Sequence, residues 1–426
     1  MDAHRLILAF SGIIALSFVA NLIAKRTNVP AVLMLMLLGF IIAQFTNIDQ
    51  ATLLPYLEVL GTIGVILIVL EASLDLHLEE TKMSLIGRAT LMALFGLLAC
   101  TGLIAGVLRL ALGMDWTLSM IYATPMAVLS SAIVIPSVGS LKADSKEFLI
   151  FESSLSDILG IIQFYALLDF YRAGATPDVI GLVSGKILLT MILSVVLSYL
   201  MILAFQSLKG GSVRLFLLIA ILMGMYSAGK LLHLSPLILV MVFGLALNNK
   251  QVFFQGKMNQ LVNDTQFDNI LKDLRFITLE SAFVVRTLFF VAFGMSIMLA
   301  GLFHLKVIGT TILILLIMYG VRYVGLLMTN RSQLEPAIYI APRGLITVLL
   351  FYAIPAEIAT EQFPPGIILL SILGSSLVMT YGLIREQRQA QRARAAKKAE
   401  AARRRAANAA ASESNGAPTG EPVPAE

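Results

Sequence analysis

The feature that most constrains this chain is a series of apolar segments that recurs along almost its whole length. Each segment approaches the about 20 residues that a helix needs to cross the hydrocarbon core of a bilayer. We identify thirteen segments, at residues 5–23, 30–46, 56–74, 85–110, 116–138, 147–169, 179–206, 212–231, 235–249, 278–300, 305–328, 335–355 and 364–384. Only 13% of the 426 residues are charged, against about 25% in soluble domains. The sequence therefore predicts an all-α polytopic membrane protein with about thirteen transmembrane helices.

The rarer residue types exclude several classes of protein. The chain has one cysteine and four histidines, and the histidines lie far apart, so neither a disulfide framework nor a metal cluster is expected. No cluster of histidines and no pairing of a serine with a base indicates catalysis. We expect no enzyme activity, no cofactor and no nucleic-acid partner.

Basic residues in the loops predict the orientation of the chain. Alternate loops hold thirteen Lys and Arg residues on one side and six on the other, and the residues after 384 add nine to the richer side. Because basic loops stay in the cytoplasm, we expect the N-terminus outside and the C-terminus inside, which requires an odd number of helices. The predicted location is the plasma membrane, the inner membrane of a bacterium.

Prolines inside the fifth and twelfth segments predict two broken helices. Pro125 lies in the fifth helix of the first six, and Pro342 lies in the fifth helix of the last six. A proline removes a backbone donor, and broken helices near the bilayer centre are how many secondary transporters hold ions. Small polar side chains accompany the first break: Thr124, Ser130 and Ser131. We predict two inverted six-helix repeats whose broken helices cross.

These repeats define the predicted domains. Residues 1–170 form the first repeat, residues 171–210 a linker with helix 7, and residues 211–384 the second repeat. Residues 385–426 form a cytoplasmic tail that is basic and rich in alanine up to residue 411. We expect this basic part to be helix-prone, as a solvated topology signal or as a site for anionic lipid. Residues 412–426 are polar and acidic and are expected to be disordered.

Six ionisable side chains fall inside the predicted spans. Such a group costs at least about 2.5–3.5 kcal/mol at the bilayer centre and is therefore usually paired or functional. The six are Glu71, Glu152, Asp157, Arg286, Arg322 and Arg343. Three acids and three bases indicate pairing.

The sixth segment carries two of the acids on different faces of one helix. Ser153, Ser156 and Asp157 follow the i, i+3, i+4 spacing of one polar face. Glu152 lies about 140° around the axis from Asp157, so the two carboxylates cannot bind one ion as neighbours. We expect Asp157 to face a cavity and Glu152 to pair with a buried arginine, for which Arg322 is the best candidate.

The remaining charges have less certain roles. Arg343, at the break in the twelfth helix, can balance the C-terminal ends of the half-helices or the acid of the site. Arg286 lies near a helix end, where it can extend to the membrane surface. Glu71 is also close to a helix end, which favours a structural role. We keep Arg286 and Glu71 as possible site residues.

At this point several motifs resemble a known family. The run ESSLSD at residues 152–157 resembles the ES-x-x-ND signature of the monovalent cation/proton antiporter superfamily, in the branch of the sodium/proton exchangers. Arg322 in VRYVGLL and the run PRG at residues 342–344 are similar to the paired arginines of that branch. The stretches LIVLEASLDL and RTLFFVAFGM also resemble family segments, so the resemblance spans about residues 55–360.

The resemblance implies a thirteen-helix antiporter in which a core domain moves against a dimerisation domain, and hence a homodimer. It implies that cation and proton compete at Asp157 and that Glu152 and Arg322 form a structural bridge. Ser156 stands where the family has asparagine, and an aspartate of the family is missing after Thr124. The stretch at residues 129–133 is similar to the potassium-efflux branch, so Na⁺ and K⁺ both remain candidates.

We therefore expect a transporter in membrane lipid that exchanges Na⁺ or K⁺ for H⁺ by alternating access. The expected cation and proton site consists of Asp157, Ser156, Thr124, Ser153, Ser130 and Ser131. Loss of water favours the neutral acid and a bound cation favours the carboxylate, and a single available acid predicts electroneutral exchange. The alternative is a cation-coupled symporter of an organic anion with arginines as the clamp. A channel is disfavoured because no repeated carbonyl motif or charged ring is visible.

Overall fold

The computed structural model describes most of the chain as helices. The described residues are 11–20, 22–23, 31–45, 62–64, 66–74, 76, 82–174, 177–207, 213–231, 236–254, 264–295, 304–331 and 334–415. Within these ranges the regular elements are α-helices and short 3₁₀ turns, and none is a strand. The prediction of an all-α protein is confirmed.

The helices follow one another in chain order with short connections. They are α1 (Ser11–Ala20), α2 (Ala31–Phe45), α3 (Thr62–Leu74), α4 (Met83–Leu112), α5 (Trp116–Ala127), α6 (Ser131–Ser137), α7 (Ala143–Ala173), α8 (Pro177–Ser207), α9 (Val213–Leu231), α10 (Pro236–Asn248), α11 (Lys250–Phe253), α12 (Asp264–Met295), α13 (Leu305–Thr329), α14 (Leu334–Ala337), α15 (Leu345–Tyr352) and α16 (Gly366–Asn415). Short 3₁₀ turns lie at Val138–Ser140 and Ala356–Ile358.

Seven stretches of the described chain are long and apolar enough to cross a membrane. They are Met83–Leu112, Trp116–Ser137, Ala143–Ala173, Ser184–Met201, Leu271–Met295, Leu305–Thr329 and Gly366–Gln389, and four shorter apolar helices accompany them. Each of the thirteen predicted segments contains described helical residues. The membrane class is therefore confirmed, while the count of thirteen spans stays a prediction.

Two helices extend beyond the ends that hydropathy predicts. Helix α12 begins at Asp264, well before residue 278, where the predicted segment begins. Helix α16 continues to Asn415, four residues into the stretch expected to be disordered, and residues 416–426 lie outside the described part. Hydropathy detects only the lipid-facing part of a helix, whereas alanine, lysine and arginine favour continued helix outside the membrane.

The helices pack in two groups. One group is α4, α5, α6, α7, α13, α14, α15 and α16, and the other is α2, α8, α9, α10 and α12. Helix α7 contacts both α8 and α10 and so connects the groups. This arrangement places α7, which carries the predicted site, at the boundary between them.

Helices α2 and α12 cross at very close range through two glycines. A Cβ atom on Gly39 would meet the backbone carbonyl of Val291, and a Cβ atom on Gly294 would meet the backbone carbonyl of Met36. Small residues allow this approach of two backbones, and such contacts hold helices together in lipid.

Candidate functional site

The fifth span is broken after residue 127, as predicted. Helix α5 ends at Ala127, Val128 is extended (φ −70°, ψ 132°), and α6 begins at Ser131. Pro125 lies inside α5, and the helix continues for two residues beyond it. The break therefore lies after the proline, and the helical turn before the proline is intact.

Each of the three consecutive backbone N–H groups that follow Val128 finds a tertiary partner. Leu129 donates to Ser156 Oγ at 3.0 Å, Ser130 donates to Pro342 O at 3.1 Å, and Ser131 donates to Asp157 Oδ2 at 3.2 Å. Backbone polar groups at membrane depth require such partners because no water satisfies them. Helix α7 and the break in the twelfth span thus accept the backbone donors that the break in the fifth span leaves without helical partners.

The twelfth span is also interrupted, and Arg343 connects its break to the first one. No helix is present between α14 and α15, at residues 338–344. The Arg343 guanidinium donates from Nε to Met126 O at 2.6 Å and from Nη1 to Ala341 O at 3.0 Å. Because Met126 lies in the last turn of α5, the cation sits at the negative end of that helix.

The second buried arginine forms an ion pair with the first acid of the sixth span. Arg322 donates from Nη1 and Nη2 to the two carboxylate oxygens of Glu152, at 2.7 and 3.1 Å. The side chains are 3% and 0% exposed. The Nε of Arg322 donates to Ala337 O at 2.8 Å. The pair therefore also holds the last residue of α14, directly before the break in the twelfth span.

Asp157 has no basic partner in the described part of the chain. Its Oδ2 accepts from the first N–H of α6, whose dipole favours negative charge there. Its Oδ1 is buried without a hydrogen-bond partner. The residue also lines a small cavity of about 10 Å³, together with Val69, Ala72, Ser73, Met241 and Ile346. A cavity of this size holds about one water molecule.

The hydroxyls that were expected around the cation divide into two sets. Ser156, Ser130 and Ser131 lie at the break, and the Ser130 hydroxyl is buried with no partner in the described chain. Ser153 instead donates to Ile150 O of its own helix, at 3.2 Å. The Thr124 hydroxyl donates to Met120 O, at 2.8 Å. None of these five residues is among those that line the cavity beside Asp157.

The two possible site residues contact each other. Arg286 on α12 donates to the carboxylate of Glu71 on α3, and both side chains are largely buried. The structure therefore places them together in an ion pair between two helices.

Sequence reasoning missed the wall of the cavity that faces Asp157. Ser73 and Ala72 on α3 and Met241 on α10 come from segments without a polar pattern. It also missed Arg275, which donates to Leu74 O at the end of α3. The only available signal was the small-residue pair Ala72-Ser73 directly after Glu71, which follows a run of large apolar residues at 65–70.

Comparisons with known proteins agree with the fold. A family model described as "Sodium/hydrogen exchanger, transmembrane" matches residues 13–384. The fold is similar to the structure of the sodium proton antiporter MjNhaP1 from Methanocaldococcus jannaschii at pH 8, with a TM-score of 0.68 and 19% identity over 91% of this chain and 99% of that one. A second structure of that antiporter, from an electron-microscopy map, gives a TM-score of 0.62 and 18% identity over 92% and 97%. No curated protein matches the chain. Because the family model covers most of its length, this chain belongs to the sodium/hydrogen exchanger family of membrane transporters.

Proposed function

We propose that this protein exchanges Na⁺ for H⁺ across the membrane by alternating access, with Asp157 as the shared binding site. The observation that carries the proposal is the state of this carboxylate. It is 5% exposed, one oxygen is held by the broken helix, and the other has no hydrogen-bond partner among the described residues. Such a group can bind a proton or a cation. No basic side chain in the described structure already neutralises its charge.

Competition between the two ligands follows from burial. A carboxylate removed from water is more stable as the neutral acid, whereas a cation beside it stabilises the charged form. One ligand must therefore leave before the other binds, which couples the two movements. Each loaded form is electrically neutral at Asp157, so either can cross the apolar core at a lower cost than the empty carboxylate.

The proposed ligands of the cation are oxygens near the break. We propose Asp157 Oδ1 together with the hydroxyl of Ser73, which lines the same cavity. A further candidate is the buried hydroxyl of Ser130 at the break, which has no partner in the described chain. Neutral and anionic oxygens replace the water shell of alkali cations in membrane proteins. We propose Na⁺ because the matching family model is that of the sodium/hydrogen exchangers. The cavity has room for about one water, so the cation would bind without its water shell.

The pairing of the other acids supports exchange of one proton for one cation. Glu152 is bound to Arg322, and Glu71 is bound to Arg286. Of the three acids predicted inside the spans, Asp157 alone has no arginine partner in the described structure. We therefore propose electroneutral exchange.

The same contacts disfavour the organic-anion symporter. Arg343 is bound to two carbonyls, and Arg286 is bound to Glu71. An anion clamp would require these donors to leave their partners. The arrangement supports cation transport instead.

Our proposal extends to the architecture around the site. The repeats would be residues 1–170 and 211–384, connected by residues 171–210, and their contact through Ser130 and Pro342 supports a crossing of the broken helices. We propose a homodimer in the inner membrane with the C-terminus in the cytoplasm. The long basic helix after residue 384 fits that orientation.

Proteoliposomes with an imposed pH gradient and an internal pH dye test the function. Addition of Na⁺ should dissipate the gradient faster than K⁺, at a rate that an imposed membrane potential does not change. Asp157→Asn should abolish the response. Asp144→Asn, an exposed acid on the same helix, is the matched control and should keep it. Exchange that survives Asp157→Asn would move the site to Glu152 or Glu71.

A further inference from the structure

A partly buried amide near the site joins α4, α5 and α7. Gln163 on α7 donates from Nε2 to Thr101 Oγ1 on α4 at 2.7 Å and to Thr124 Oγ1 on α5 at 3.1 Å. Both threonines are buried. Gln163 follows Asp157 by six residues, or about 9 Å along the helix axis.

The direction of these hydrogen bonds follows from counting protons. The Thr124 hydroxyl has one proton, and it donates this proton to Met120 O at 2.8 Å. It can therefore only accept from Gln163, so the NH₂ group of the amide must face the threonines. The Oε1 atom then points away from them and is buried without a partner in the described structure. The NH₂ group of the amide thus donates to both hydroxyls, although the amide oxygen has no hydrogen-bond partner in the described structure.

The hydroxyl that Gln163 holds belongs to the last turn of α5. Thr124 O accepts the hydrogen bond from Val128 N that closes this turn, at 3.3 Å. The next backbone donor is held by Ser156 and a later one by Asp157. Helix α7 therefore forms hydrogen bonds to the chain on both sides of Val128, and the hydrogen bond on the α5 side comes from Gln163.

We propose that Gln163 is a positioning residue for the transported cation, which acts through Thr124. It fixes the last turn of α5 and thereby sets where the oxygens of the break lie relative to Asp157. This inference rests on the proposed exchange at Asp157. Loss of the amide leaves the carboxylate in place, so the effect falls on cation affinity rather than on the maximal rate.

A double-mutant cycle in proteoliposomes tests this role. Gln163→Leu keeps the approximate volume and removes both donors, and Thr124→Val removes the hydroxyl that accepts one of them. Each variant should raise the KM for Na⁺ about tenfold, because each removes the hydrogen bond between Gln163 and Thr124 through which the amide acts. The maximal rate should stay within about twofold. Because the two residues act as one unit, the double variant should also show about a tenfold rise rather than a hundredfold one.

Three results would overturn the proposal: an unchanged KM, effects that multiply in the double variant, or a reduced maximal rate at unchanged KM. Thr90→Val, which removes a similar helix-bound hydroxyl elsewhere on α4, is the control and should not change the KM. If Gln163→Leu does not fold, Gln163→Asn replaces it, because the shorter amide cannot reach both threonines. Asp157→Asn in the same vesicles separates the two claims. Exchange that persists in that variant rejects the proposed site, whereas its loss with a normal Gln163→Leu rejects only the role of Gln163.

Discussion

Two arginines inside the membrane have different partners, and the difference defines their roles. Arg322 is bound to a carboxylate, so its charge is neutralised, whereas the guanidinium hydrogen bonds of Arg343 in the described chain go to backbone carbonyls. A buried charge is tolerated when it is paired and hydrogen-bonded. The Arg322–Glu152 pair is thus suited to hold α7 and α13 together, and Arg343 is suited to stabilise the end of α5.

Breaking the Arg322–Glu152 pair should strongly destabilise the protein. Glu152→Gln leaves the Arg322 charge buried and unpaired, and we expect a loss of about 3–5 kcal/mol. The variant Glu152→Gln with Arg322→Gln should be more stable than Glu152→Gln alone, because no charge remains buried. Thermal unfolding in detergent measures both effects.

The control for this measurement is an ion pair at the surface. Glu147 pairs with Lys82 at 3.2 Å, and both side chains are more than a third exposed. Glu147→Gln should cost about 1 kcal/mol or less. Equal unfolding temperatures for Glu147→Gln and Glu152→Gln would contradict the structural role of the buried pair.

The helical period explains how much of this could be predicted at the level of residues. The angle of about 140° between Glu152 and Asp157 separates their faces, and the structure has them in different surroundings. The surroundings of Thr124 could not be predicted in the same way. Its partner Gln163 lies 39 positions along the chain, and no local pattern indicates such a contact.

Among the elements, the two broken helices were predicted from proline but not their exact ends. Helix α5 passes through Pro125, although a proline inside a helix removes one backbone donor and its ring crowds the carbonyl four residues earlier. The helix opens later, at 128–130, where Ser156, Pro342 and Asp157 accept the three backbone donors. Tertiary partners thus decide where the break lies, and a sequence pattern cannot reveal them.

The close approach of α7 to this break should make Gly160 sensitive to substitution. A Cβ atom there would collide with the side chain of Val128. Gly160→Ala should therefore push the break away from Asp157 and reduce the exchange rate at least about tenfold, as for a misplaced catalytic group. Addition of Val128→Ala should restore most of the rate, since it removes the colliding methyl groups.

A second glycine on a neighbouring helix provides the comparison. A Cβ atom on Gly102 of α4 would meet nothing within 4 Å. Gly102→Ala should keep the exchange rate and stabilise the helix by about 0.5–1 kcal/mol. Vesicle assays of the three variants decide the matter, and a normal rate for Gly160→Ala would show that this contact does not position the site.

For the whole molecule, the sequence predicts the membrane class well and the cavity poorly. Apolar segments and few charges suffice to predict spanning helices. In the bilayer the backbone polar groups must be hydrogen-bonded internally, as they are in a helix. The cavity instead depends on how α3 and α10 face α7. Helix α10 is apolar up to Asn248, and α3 has few polar residues besides Glu71 and Ser73. No continuous polar face therefore predicts how either helix is oriented.

The predicted orientation can be tested at the two ends of one helix. Helix α7 begins at Ala143 and ends at Ala173, both of which are exposed. A membrane-impermeant maleimide should label Ala143→Cys only from the cytoplasmic side and Ala173→Cys only from the outside. The natural chain is the control, since its single cysteine, Cys100, is buried. Labelling from the opposite sides would reverse the topology.

The central claim is that Na⁺ and H⁺ exclude each other at Asp157, and the most direct test counts the protons that Na⁺ displaces. Purified protein in weakly buffered detergent solution would be titrated with NaCl while the pH is recorded. Choline chloride serves as the control for ionic strength. We expect Na⁺ to release up to about one proton per chain, because the cation binds the carboxylate only after the proton leaves. Asp157→Asn should release none. Proton release that is unchanged in Asp157→Asn, or Na⁺ binding without proton release in the natural protein, would contradict the account.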